Sequence, residues 1–153
     1  MTENYGEARR INAGSPEPLW TGGFNTELSW RGISLGIQLE ARYGNKVLNQ
    51  DRSLFEADGS YGDSNIWKGA MNYWKKPGDT NVLPKPVYNN SSNSSAISTR
   101  YLEDGSYLRI KDITLAYSLP SKWTKKALMS GVRIYASALN LYTFHNMNYW
   151  DPE

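Results

Sequence analysis

Between Ile33 and Tyr43 the chain alternates without interruption. Ile33, Leu35, Ile37, Leu39, Ala41 and Tyr43 are apolar, and Ser34, Gly36, Gln38, Glu40 and Arg42 are small, polar or charged. Successive strand side chains point to opposite faces, so this period-two run predicts a long strand with one apolar and one polar face. Arg31-Gly32 reads as a hairpin turn, with Asn25–Trp30 as the preceding strand. A second long strand is predicted over Tyr107–Leu119, where the apolar phase slips midway. Leu108 and Ile110 fall in one row, and Ile113, Leu115, Tyr117 and Leu119 in the other. Such a slip predicts a bulge, or a strand that leaves its apolar surroundings partway. Pro120 then stops the strand and Ser121 reads as an N-cap. A short helix over Lys122–Met129 should end at Gly131. A third strand, Val132–Leu141, sets Val132, Ile134, Ala136 and Ala138 against Arg133, Tyr135, Ser137 and Leu139, and neither row is purely polar.

The stretch from Asn45 to Thr99 lacks this regularity. Ile66–Trp74 predicts a short helix capped by Ser64 or Asn65 and stopped at Pro77-Gly78. Pro84, Pro86 and the polar tract Asn89–Ser95 (NNSSNSS) follow. So long an irregular segment suits a large surface loop on a rigid scaffold. The N-x-S triplets inside the tract read as flexible low complexity rather than as glycan acceptors. Residues 1–14 show no apolar periodicity, and Gly14–Pro18 reads as a turn or extended linker.

Two settings produce strands that alternate in this way. An antiparallel sheet of a soluble protein buries one face and wets the other. A membrane barrel puts one face into lipid and the other into a water-filled lumen. Soluble strands average about five or six residues, whereas a tilted membrane strand needs about nine to eleven. Strand length therefore favours the barrel.

Composition narrows the choice further. The chain has 153 residues, with 39% apolar residues, 21% charged residues, and 6 Trp, 11 Tyr and 3 Phe. It is too aromatic and too weakly charged to be intrinsically disordered. No run is apolar enough for a transmembrane helix. A net charge of +2 is far from a nucleic-acid footprint. Lys122, Lys125 and Lys126 form the one basic cluster, on the solvated side of the predicted helical turn. The absence of cysteine excludes a disulfide framework, a Cys-zinc site and a thiol nucleophile. The opening MTENYGEARR lacks an apolar core, so no signal peptide is expected here. Either the protein is cytoplasmic, or this is not its natural start.

Candidate chemistry is sparse. His145 is the single histidine, which leaves no catalytic triad and no His-based metal site. Glu103 and Asp104 are the nearest approach to an acid/base pair, but neighbours on a strand diverge, and Glu-Asp-Gly reads as a turn. Gly22-Gly23 and Gly59/Gly62 lack the lysine of a phosphate loop. No catalytic residue, metal site or cofactor is predicted. Trp67, Tyr73 and Trp74 would suit stacking on sugar rings, or an interfacial set of aromatics.

Several stretches, in order along the chain, resemble one family. They are Trp20–Gly44 (WTGGFNTELSWRGISLGIQLEARYG), Trp74–Asp79 (WKKPGD) with Pro84, and Glu103–Pro120 (EDGSYLRIKDITLAYSLP). Arg133–Leu141 with its Asn140-Leu141 pair, and Tyr149–Glu153 (YWDPE), complete the set. The chain resembles the SusC-like TonB-dependent outer-membrane transporters from about Ile11 to Glu153. Glu103–Pro120 and Asn140-Leu141 are the most specific parts. Trp30 and Tyr107 stand where that family more often has Tyr and Phe.

The resemblance implies an all-β fold: an antiparallel transmembrane β-barrel segment, matching the C-terminal strands of a large plugged barrel of the 22-stranded class. Residues 1–153 would be a partial barrel domain, with plug, most strands and final strand absent. Residues 50–100 would form an extracellular loop, and Leu119–Gly131 a short helical periplasmic turn. Ile33, Leu35, Ile37 and Leu39 would face outer-membrane lipid, and Gln38, Glu40 and Arg42 the lumen. The implied function is import of oligosaccharides, peptides or other nutrients across the Gram-negative outer membrane. The implied partners are a SusD-like surface lipoprotein and TonB, acting through parts of the full-length protein. No motif fixes a substrate-binding residue. With unpaired strand edges and an apolar row, the 153-residue chain alone is expected to be insoluble or aggregation-prone. Two rivals compete with this reading: a soluble β-sandwich carbohydrate-binding module, and a glycosidase built on Glu103 and Asp104.

Overall fold

The computed structural model describes residues 5–60, 65–80, 83–90, 94–126, 128–148 and 150–152. Its backbone is dominated by antiparallel strands. In chain order they are β1 (Trp20–Trp30), β2 (Ile33–Tyr43), β3 (Lys46–Leu48), β4 (Leu102–Asp104), β5 (Tyr107–Ser118) and β6 (Arg133–His145). Two short helices, α1 (Gln50–Phe55) and α2 (Ser121–Lys126), accompany them. The chain divides into two compact units, one of residues 15–46 and 104–153 and the other of residues 1–14 and 47–103.

The first unit is a four-stranded antiparallel sheet in the order β1-β2-β5-β6. β1 and β2 pair over their full length from Trp20↔Tyr43 to Trp30↔Ile33. They turn through Arg31 (φ 48°) and Gly32 (φ 89°), the left-handed pair of a type I′ hairpin, whose twist matches that of the strands. β1 begins at Trp20 rather than Asn25 because Trp20–Phe24 continues the ladder onto Leu39–Tyr43. Thr21, Gly22 and Gly23 simply lack the polarity contrast that advertises a strand.

The predicted phase slip is a bulge. Gln38 pairs with Asp112 and Leu39 with Ile110, so Lys111 is the extra residue. Inserting it brings Leu108 and Ile110 onto the same face as Ile113, Leu115 and Tyr117. β6 answers with its own irregularity, since Asp112 pairs with Leu139 and Ile110 with Tyr142. Asn140 sits in that step at φ 49°, a left-handed conformation that Asn tolerates better than most residues. The ladder then resumes through His145, which is why β6 runs four residues past the expected end at Leu141. Register to β5 also fixes its sides: Ile134, Ala136 and Ala138 join the apolar face.

At the β5–β6 connection, α2 is shorter than expected. The N–H of Met129 bonds the carbonyl of Thr124 and that of Leu128 bonds Lys125, the two bonds of a Schellman motif. Leu128, at φ 58°, therefore takes the terminating role expected of Gly131, and Ser121 is the first helical residue rather than a flanking cap.

The second unit is more structured than its sequence suggests. α1 is capped by Asn49, whose side chain accepts the N–H of Arg52. The helix expected over Ile66–Trp74 is only a 3₁₀ turn, Lys68–Met71, preceded by an extended Trp67 with no side-chain cap. Its backbone is claimed elsewhere, because Leu83 donates to the Asn72 carbonyl and accepts from the Trp74 N–H. The alternative cap Ser64 lies outside the described residues, as do residues 91–93 of the polar tract. Tyr101 is completely buried.

A β-sandwich needs a second sheet stacked on the first. Among the described residues the only other ladder is β3–β4, three residues per strand, far too small to cover four long strands. The sandwich reading is therefore set aside.

Candidate functional site

The sheet has two chemically distinct faces. Opposed pairs across the register place Trp20, Phe24, Leu28 and Trp30 of β1 beside Tyr43, Leu39, Leu35 and Ile33 of β2. Leu108, Ile110, Ile113, Leu115 and Tyr117 continue this face on β5, and Phe144, Tyr142, Ala138, Ala136 and Ile134 continue it on β6. Among the described residues this face stays open: Phe24 is 58% exposed, Leu28 61% and Ile134 62%. A contiguous apolar surface of this size marks an interaction site rather than the outside of a soluble monomer.

Aromatic residues bound this face at both ends. Trp20 stacks on Tyr43 with ring centroids 6.5 Å apart, and Tyr142 meets Phe144 edge-on at 4.7 Å. These four lie at the end of the sheet where β2 stops and β5 starts. Trp30 and Tyr117 lie at the other end, next to the Arg31-Gly32 turn, both beside Ile33. The eleven residues of β2 rise about 3.3 Å each, or about 33 Å between the two rows.

The opposite face carries charge and hydrogen bonds. Gln38, Glu40 and Arg42 share it, as the alternation requires. Register brings Arg42 beside Tyr107, and Glu40 beside Arg109. The Tyr107 hydroxyl donates to Glu40 Oε1 at 2.9 Å, and Lys111 Nζ lies 3.1 Å from Glu40 Oε2. The bulge that keeps the apolar row in phase thus also places a cation against Glu40. Arg109 donates to Thr143 Oγ1 at 3.0 Å and forms an ion pair with Asp151. The guanidinium carbons of Arg42 and Arg109 lie 5.8 and 5.2 Å from the centre of the Tyr107 ring. Sequence reasoning found Gln38, Glu40 and Arg42 but not Tyr107, Arg109, Lys111, Thr143 or Asp151. The phase slip at Lys111 was the one signal pointing towards them.

The other candidates do not converge on a reaction centre. Glu103 accepts from Arg52 at 2.7 Å and from Asn49 at 3.3 Å. Asp104 instead accepts from the hydroxyl and the backbone N–H of Ser106, at 2.7 and 3.1 Å. Those two bonds hold its carboxyl below the usual range, helped by the charge of Lys46. Both carboxylates are thus engaged by separate local partners, as expected of structural residues. Trp67 stacks on Phe55 at 5.7 Å, and the ring of Tyr73 lies under the Lys75 ammonium at 5.4 Å. His145 pairs across the ladder with Tyr107. No group of three metal-ligating side chains occurs among the described residues.

Comparison with known proteins accounts for a sheet of this kind. No family model matches the chain. It is 33% identical over 146 residues to TonB-dependent receptor P3 of Formosa agariphila, covering 95% of this chain and 14% of that protein. The chain belongs to the SusC-like TonB-dependent receptors. TonB-dependent receptor P26 of the same organism is 27% identical over 144 residues, again across 14% of its length. Among solved structures, the RagAB peptide importer in its closed-closed state superposes with a TM-score of 0.77 at 32% identity, over 92% of this chain and 15% of that one. Its open-open state gives 0.75 at 30% identity, over 94% and 16%. The chain therefore spans about one-seventh of the length of these receptors. Its all-β sheet is of the antiparallel barrel type, and the proteins it resembles are named as receptors and importers rather than enzymes.

Proposed function

We propose that this sheet is part of the wall of an outer-membrane barrel that imports nutrients. The observation that carries the reading is the two-faced sheet itself, in which an uncovered apolar face bounded by aromatic rows backs onto a charged, hydrogen-bonded one. At a strand tilt of about 40°, the 33 Å of β2 stands about 25 Å tall, the height of the apolar band of such barrels. Aromatic girdles at both interfaces are a further feature of that class.

On this reading Ile33, Leu35, Ile37 and Leu39 contact lipid, and Gln38, Glu40 and Arg42 line the lumen. The segment between β2 and β5, including residues 50–100, is extracellular, and the short α2 connection is periplasmic. The chain does no chemistry. The full-length receptor takes up oligosaccharides or peptides with a SusD-like surface lipoprotein and draws energy from TonB. Similarity to a peptide importer supports peptides as one cargo class.

The test is a nitroxide scan of β2 in the full-length receptor in membranes. Labels at 35, 37 and 39 should be relaxed by oxygen and shielded from a water-soluble nickel complex, while labels at 38, 40 and 42 show the reverse. Nickel access without alternation would sink the assignment. A full-length protein absent from the outer-membrane fraction, or lacking a heat-modifiable band, would sink the transporter reading as a whole.

A further inference from the structure

The polar face holds three cations near the end of the sheet where β2 stops, and two of them are neutralised within the wall. Lys111 is paired with Glu40 and Arg109 with Asp151. Glu40 is engaged on both oxygens, one meeting Lys111 and the other accepting from Tyr107. Arg42 is different. Among the described residues its guanidinium makes no ion pair and no hydrogen bond; it lies over the Tyr107 ring and acts on Glu40 through its charge alone.

We propose that Arg42 is an anion-docking residue that takes a carboxylate of the transported solute. The proposal rests on the lumenal reading of this face. Tyr107 is buried and its hydroxyl is fixed on Glu40, so the ring is an immobile platform, and cation–π attraction holds the Arg42 head group beside it. With no hydrogen bond of its own among the described residues, the guanidinium keeps its donors available, and that planar fork matches a carboxylate two bonds at a time. Arg109, on the same ring, is already paired with Asp151, so an arriving anion is left to Arg42. A neutral solute gains nothing from the arrangement. The chemistry selected is a carboxylate, supplied by the C-terminus of a peptide or by an acidic sugar.

The full-length receptor, shown to be folded by heat modifiability, is incubated with two probe sets. One set is short peptides without acidic side chains, as free acids and as C-terminal amides; the other is oligogalacturonates and their methyl esters. Retained probe is read by mass spectrometry as the ratio of acid to capped form. Wild type should favour the acid by about tenfold or more in one set, the scale of a charge-assisted hydrogen bond. Which set responds identifies the source of the carboxylate. Arg42→Gln should bring the ratio close to one and Arg42→Lys should keep part of it. Arg31→Gln, at the opposite hairpin end, should leave it unchanged. An acid preference that survives Arg42→Gln, or a wild type that retains acid and capped forms equally, overturns the assignment while the import reading stands. Spin-label data placing residue 42 against lipid overturn both.

Discussion

Placing arginine at Ile37 and then at its neighbour Gln38 tests the two-faced sheet with a single side chain. Ile37 lies four residues from Ile33 and six from Tyr43 in β2, so about 13 and 20 Å along the strand from the two aromatic rows. At a tilt of about 40° those distances become about 10 and 15 Å of depth, close to the bilayer midplane. Its cross-strand partners are Thr26 and Ile113, neither of which offers a counterion. Arginine on the lipid face at such depth costs about 2–4 kcal/mol, or roughly 30- to 1000-fold in the folding equilibrium. Gln38 sits between Asn25 and Asp112, so Gln38→Arg should change stability by less than about 0.5 kcal/mol, an exposed ion pair offsetting side-chain ordering. The assay is a urea titration of the full-length receptor refolded into lipid vesicles, with the heat-modifiable band as the folded signal. Equal losses for the two variants, or a larger loss for Gln38→Arg, would refute the assignment of faces.

Three further outcomes are expected. Gly32→Ala should destabilise the β1–β2 hairpin by about 1–2 kcal/mol, because φ is +89° and the new Cβ would lie 2.8 Å from the Ser118 carbonyl oxygen; a lowered urea midpoint for the full-length receptor checks it. Arg52 holds Glu56 through two bonds of 2.9 Å and Glu103 through one of 2.7 Å. Arg52→Ala leaves both buried carboxylates without their cation, so the unit around α1 should lose about 3 kcal/mol. Hydrogen exchange should then rise over residues 49–56 but not over β2 or β5. The Asp104 carboxyl is held below its ordinary value by Ser106, so its contribution is complete above pH of about 4 and disappears as pH falls through the lowered value. Amide protection at Ser106, corrected for intrinsic exchange rate, should follow that course in wild type, and Asp104→Asn should flatten it.

How much of this was legible in the sequence depended on whether the information was local. β2 was readable because its alternation is unbroken and its two rows differ in polarity at every step. β1 was half hidden, since Thr21, Gly22 and Gly23 carry no contrast, and the strand is defined there only by the ladder to Leu39–Tyr43. β6 ended early on paper because a left-handed Asn140 breaks the period that a strand is recognised by. Its sidedness was unreadable for a related reason: Tyr135 and Leu139 lie on the otherwise polar face, and only pairing with β5 decides the matter. The helix expected at Ile66–Trp74 had a cap and a stop, but its Asn72 carbonyl and Trp74 N–H are taken by Leu83, a tertiary contact that outweighs propensity.

The bulge at Lys111 connects these levels. A strand of β5's length with strict period two would put Leu108 and Ile110 in the polar row and the charged residues around them in the apolar one. One inserted residue corrects the phase, and because it adds a position to the strand, it also adds a side chain to the polar face. That side chain is a lysine, and it meets Glu40. Glu40 is in direct contact with Lys111 and Tyr107 rather than with Arg42, and the ring of Tyr107 keeps the Arg42 guanidinium in place. The same insertion that makes the apolar face continuous is therefore what sets Lys111, and not Arg42, in contact with Glu40 on the polar one. Deleting Lys111 should for this reason act on both faces at once, which no substitution at Glu40 or Arg42 alone can do.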